Sequence, residues 1–141
     1  MRSWKTIICL LILAWSSSCG GQGNTGPVEV ARQYASAVLK GDVDALLPLL
    51  ETELQQQIRD SAERASDQIG GRRKIEGNEM LQVDSHGLFV EVVELRLLGS
   101  EDGRAQVEVK DSLDRLHVVE LLLEQGPERS EWRVLIPTPN P

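Results

Sequence analysis

The chain has 141 residues, 40% hydrophobic and 26% charged, which fits one globular domain and argues against wholesale disorder. A formal net charge of −7 disfavours nucleic acid and gives no general attraction to anionic headgroups. Cys9 and Cys19 both lie near the start. Neither an internal disulfide nor a thiolate metal site can therefore hold the remainder together, and stability must come from burial.

Arg2 and Lys5 make a short basic start, followed by the uncharged apolar run TIICLLILAW at residues 6–15. That run is about half of what a bilayer-spanning helix needs, but it suits the apolar region of a secretory signal. Ser16, Ser17 and Ser18 then lead to Cys19 in AWSSSCGG. This stretch resembles a bacterial lipobox, with the small Ser18 just before the cysteine and Ser16 where leucine is usual. The resemblance implies a lipoprotein signal peptide over residues 1–18, cleavage before Cys19, and acylation of Cys19 as a membrane anchor. An ordinary signal peptide with an incidental cysteine is the alternative, and a retained membrane helix is a third reading.

One acyl chain binds a membrane only marginally, at about 0.8 kcal/mol per buried methylene, so durable anchoring takes several chains. Loss of Arg2 and Lys5 with the signal takes the net charge from −7 to −9. Gly20, standing where Asp would signal retention, points to the outer membrane, facing the periplasm of a bacterial cell envelope. Residues 19–26 comprise the lipidated cysteine and the Gly-rich tether GGQGNTG. Such a tether reaches about 15 Å and keeps the domain close to the bilayer.

The domain is expected over residues 27–136, with a Pro-rich tail at 137–141. Pro27 suits the first turn of a helix. Val30, Tyr34, Ala37 and Val38 recur at helical spacing, and Gly41 ends the segment. Asp42 caps a second piece, DVDALLPLL, which Pro48 keeps short or bent. Thr52 and Gln55 predict a capping box for a third helix with the stripe Leu54, Ile58, Ala62, Ala65 and Ile69, stopped by Gly70 and Gly71. The period then changes to two. Strands are predicted over 88–98, 104–110, 116–123 and 131–136, with a tight turn in SEDG at 100–103 and a weaker strand over 80–83. Their short connections make neighbouring strands antiparallel.

Helices followed by an antiparallel meander give an α+β class. Three stretches, VARQYASAVLKGDVDALLPLL, LLGSEDGRAQVEV and SEWRVLI with Trp132, are similar to the nuclear transport factor 2-like superfamily, and within it to small bacterial lipoproteins of unknown function. The resemblance implies a cystatin-like curved antiparallel sheet wrapped round the N-terminal helices as a cone. It also implies a pocket between the first helix and the sheet, and dimerisation through the outer sheet face in some relatives.

Two readings of function follow. The first is a non-catalytic binding or interaction domain. It takes a small apolar ligand in the cone, or a protein partner or second copy on the Val- and Leu-rich outer face of the sheet. Tyr34, His117 and Trp132 are its candidate pocket residues. The second is a small isomerase- or cyclase-like enzyme using His117 with a strand carboxylate, Glu94 or Glu120, for proton transfer. Alternation groups His117 with Val119, Leu121 and Leu123, so a concave face would place it in the pocket; a half-buried histidine satisfied by a neighbour is the bland reading. Glu94, Arg96 and Glu120 need partners if buried and none on an outer face.

His86, in DSHG, reads as a turn residue. GGRRK at 70–74 reads as a solvated turn or a headgroup-facing cluster, since it lacks the ending of a phosphate loop. No metal-ligand spacing, cofactor motif or hydrolase motif is present, so no cofactor or metal is expected. The anchor is directly testable: Cys19→Ser should abolish palmitate incorporation in a bacterial host, and continued labelling of that variant would refute the lipobox reading.

Overall fold

A computed structural model describes residues 25–81 and 90–136. The expected signal and most of the expected tether, Cys19, His86 and residues 137–141 lie outside these residues. Helix α1 is Pro27–Lys40, with Pro27 in its first turn. Gly41 ends it at φ 64°, a left-handed conformation that costs glycine little. Its N–H donates to Val38 O at 3.2 Å, and the Asp42 N–H donates to Ala37 O at 2.9 Å. The Asp42 carboxylate then accepts from Ala45 N at 3.0 Å and caps α2, Val43–Leu46. Pro48 sits in a single 3-10 turn, Leu47–Leu49.

Helix α3 is Thr52–Gln68, but its start departs from the expected capping box. The Gln55 amide turns back to donate to Leu50 O at 2.7 Å. The cap comes from a distant strand instead. Both Thr52 N, at 2.9 Å, and the Thr52 hydroxyl donate to the carboxylate of Glu124. A carboxylate there satisfies an orphan N–H and complements the positive end of the helix. Of the expected stripe, Ile58 and Ala62 are buried, whereas Ile69 lies past the last turn and is 44% exposed. A second 3-10 turn, Gly77–Met80, packs against Ile58, so Met80 lies in helical backbone and not in a strand.

The sheet is an antiparallel meander of β1 Val92–Glu101, β2 Arg104–Asp111, β3 Leu116–Gln125 and β4 Ser130–Leu135, in that spatial order. Strand β1 begins later than its apolar sequence predicts and runs on through Ser100 and Glu101. The reversal falls on only two residues, Asp102 at φ 50° and Gly103 at φ 73°. Two positive φ values match the right-handed twist of the flanking strands, so the ladder continues to the turn itself. Bulges interrupt β1 between Val92 and Glu94 and between Leu97 and Gly99.

Helix α1 lies across all four strands. Ala31 and Ala35 on its inner face are fully buried, together with Val107, Val109, Leu121 and Val134 at 0–2% exposure. Small side chains on the helix let the larger strand residues fill the contact. Each fully buried Val or Leu contributes about 1.5–3 kcal/mol, so this seam is the main source of stability. Beyond it, Leu50 bridges Val134 in parallel, and Glu51 N donates to Val134 O at 3.2 Å, covering the outer edge of β4. The class is α+β, three helices with one four-stranded antiparallel sheet.

The tertiary cap gives a test of this description. Glu124→Ala should lower stability by about 1 kcal/mol in urea denaturation, as the loss of a helix N-cap does, and Glu124→Gln should recover part of it.

Candidate functional site

The strand register decides which side chains share a face. Leu95, Val109 and His117 lie in one row on the helix-facing side, and Glu94, Lys110 and Leu116 lie in the neighbouring row on the other. Glu120 sits three positions from His117 on β3, also on the outer side. There its carboxylate accepts from the Gln106 amide at 3.1 Å. Strand alternation therefore assembles neither Glu94 with His117 nor Glu120 with His117. The exposed reading of these carboxylates fits, and the dyads built on them do not.

The carboxylate beside His117 is Asp111, which the sequence reading passed over. Asp111 ends β2, and no part of it is accessible to solvent. One of its oxygens accepts from Leu113 N at 2.9 Å and Arg115 N at 3.0 Å, and the other accepts from Arg115 Nε at 2.8 Å. A second guanidinium nitrogen of Arg115 stands 2.8 Å away. The cover over this carboxylate is thin, because Ser112, Leu113 and Asp114 around it are exposed. Desolvation pushes its pKa up, but the Arg115 side chain, the two backbone N–H groups and the nearby positive charge outweigh that and bring it to about 2.

His117 Nε2 lies 3.6 Å from this Asp111 oxygen, beyond hydrogen-bond range, and the side chain is 24% exposed. The arrangement organises the β2–β3 turn: Asp111 holds Leu113 and Arg115, and Asp114 takes a left-handed φ of 61°. Its sequence signal was present in DSLDR, an Asp opening a turn between two alternating strands.

Tyr34, His117 and Trp132 do not form one pocket. Trp132 pairs with Leu123, six residues along β3 from His117, so the two rings stand about 20 Å apart. Trp132 borders a small surface cleft of about 150 Å³ with Thr25, Val30, Gln33 and Leu49. Tyr34 packs against the core, and burial raises its pKa. Between α1 and the sheet, Ala31, Ala35, Val107, Val109, Leu121 and Val134 fill the contact described above.

Polar features at the surface are engaged internally. A cleft of about 480 Å³ lies at the β3–β4 end, bordered by Thr52, Glu124, Arg129, Glu131 and Arg133. Arg133 there pairs with Glu131 and donates to Pro48 O, and Arg129 meets Glu131 at 2.8 Å. In the GGRRK turn, Arg73 pairs with Glu79, and Lys74 lies 3.3 Å from Glu76. The outer sheet face is less apolar than expected, because Arg96 bonds Glu108 at 2.9 Å in the row of the exposed Val118, and Gln106 bonds Glu120 in the next row. Exposed apolar side chains also line β1, at Val93, Leu97 and Leu98. Among the described residues no cluster of His, Cys, Asp and Glu could hold a metal ion, and no helix is long and apolar enough to cross a membrane. No protein-family model, curated protein or solved structure matches the chain.

The Asp111 cluster predicts an acid dependence of stability. A carboxyl held at about 2 when folded, against an ordinary 3.8, stabilises the fold fully above 3.8 and loses that contribution as the pH falls toward 2. Urea midpoints of the wild type should therefore fall across that window. Asp111→Asn should start lower at neutral pH and show a smaller fall; an equal fall in both proteins would contradict this account.

Proposed function

We propose that this protein is a lipid-anchored protein of the bacterial envelope whose domain, residues 27–136, works by binding a protein partner. The order of helices and meander, with α1 laid across the sheet, supports a nuclear transport factor 2-like cone as its frame. The stretch AWSSSCGG supports acylation of Cys19, and GGQGNTG a tether that holds the domain near the membrane. In this reading the lipid supplies the membrane contact, Gly20 directs the protein to the outer membrane, and the sheet faces the periplasm.

The observation that carries the reading is the seam between α1 and the sheet. Ala31, Ala35, Val107, Val109 and Leu121 are 0–1% exposed, so the protein's own side chains fill this contact. The large apolar groups left in contact with water stand mainly on the sheet and its turns: Val93, Leu97 and Leu98 on β1, Leu113 in the β2–β3 turn, and Leu116 and Val118 on β3. Apolar groups left exposed along two strands and the turn between β2 and β3 favour contact with another macromolecule. The enzymatic reading is weaker, because the carboxylate nearest His117 already accepts from Arg115 and two backbone N–H groups. Fold alone does not decide between them.

Native mass spectrometry of the full lipoprotein, released from a bacterial envelope in mild detergent, tests the proposal. The expected result is a second polypeptide retained on each chain, of its own kind or another. A bare monomer, or a monomer carrying only a small-molecule mass lost on activation, would overturn it.

A further inference from the structure

The two edges of the sheet are treated differently. Strand β4 is covered by Leu50 and Glu51, which bridge and bond Val134. Strand β1 pairs with β2 on one side, and among the described residues nothing pairs with its other side. Natural sheets usually blunt such an edge with charged side chains, a proline, a β-bulge or a very short strand, and β1 has bulges on either side of its middle stretch. Here β1 spans ten residues, carries no proline, and exposes Val93 at 57%, Leu97 at 44% and Leu98 at 45%.

The sequence of this edge, VVELRLL at residues 92–98, is complementary to itself when run antiparallel. Centred on Leu95, in the stretch between the two bulges, Glu94 of one strand falls opposite Arg96 of the other. The two charges lie on the same face, because Glu94 pairs in register with Lys110 and Arg96 with Glu108, both outer-face positions. A two-fold axis normal to the sheet keeps outer face on outer face, so both Glu–Arg pairs form together. Arg96 uses one terminal nitrogen on Glu108, and its side chain stays 65% exposed, leaving the rest of the guanidinium fork to reach a second carboxylate.

We infer that the outer edge of β1 is a pairing site for a second copy of this chain, centred on Leu95, with Glu94 of each copy against Arg96 of the other. The product is a continuous eight-stranded sheet. Bulges at Val92/Glu94 and Leu97/Gly99 bracket the regular stretch and limit the ladder to its centre. Because a two-fold pairing uses the β1 edge of both copies, it closes at two copies. The inference rests on the interaction reading above and names the partner. Lipid anchors on Cys19 would hold both copies on one membrane, where a short ladder suffices because their effective concentration is high.

The test uses the full lipoprotein in mild detergent, followed by sedimentation. The wild type should be a dimer. Glu94→Lys places Lys opposite Arg96 twice, and Arg96→Glu places Glu opposite Glu94 twice, so each variant alone should dissociate at least about tenfold more readily. Mixed together, the two variants pair Lys with Glu and Arg with Glu, and the dimer should return with one copy of each. Recovery on mixing requires folded chains, so it separates lost pairing from lost folding. Independently, oxidised Leu95→Cys should link into a covalent dimer. Variants that dimerise as the wild type does, a mixture that stays monomeric, or a Leu95→Cys protein that fails to cross-link would overturn the site. A wild-type dimer indifferent to both charges would do so while leaving the interaction reading standing. A wild-type monomer without any second polypeptide would end both.

Discussion

Everything in this domain hangs on the contact between α1 and the inner face of the sheet. Ala31 and Ala35 let the helix come close, and Val107, Val109, Leu121 and Val134 fill the space beneath it. Among the described residues, Tyr34 and Trp132 supply the aromatic bulk packed against this cluster, and both are partly buried. The core is thus built from short aliphatic chains, which pack well only when helix and strands sit at close range. That requirement fixes the inner face of each strand, and with it the fate of every charged residue placed on the other parity.

Two polar ties then attach the less hydrophobic parts to this seam. Glu124 and Arg133, neighbours across β3 and β4, meet the chain where it passes from Pro48 to Thr52, and set the starting point of α3. Asp111 does the same for the β2–β3 turn, gathering two backbone N–H groups and the Arg115 guanidinium on one inaccessible carboxylate. Both ties place an acceptor where backbone donors would otherwise go unmet, the condition that a turn or helix end buried against a sheet has to satisfy. Their chemistry is structural.

The helix starts and stops at Pro27, Gly41, Asp42 and Gly70, and the alternation of β2 to β4, were legible in the amino-acid sequence, because each depends on residues close together in the chain. Backbone conformation at Gly41 and the cap at Asp42 are local events, and the parity of Ala105, Val107 and Val109 follows from the geometry of one strand. The tight turn was legible in position but not in extent. Both of its residues adopt positive φ, and that lets the ladder run to Glu101.

What depends on distant residues was not legible. Thr52 and Gln55 have the spacing of a capping box, yet a carboxylate 72 residues away takes the cap and frees Gln55 for Leu50. Glu94, Glu120 and His117 share an apolar setting in the sequence, but strand register sends the two carboxylates to one face and the imidazole to the other. Tyr34, His117 and Trp132 were grouped by residue type alone, and the length of β3 separates the last two. By itself the sequence determined the main element types and their order, since short-range sterics and periodicity are enough for these. Only the tertiary structure decided which acceptor meets which donor, which face each charge occupies and, among the described residues, which sheet edge stays unpaired, because those follow from register and from contacts between residues far apart in the chain.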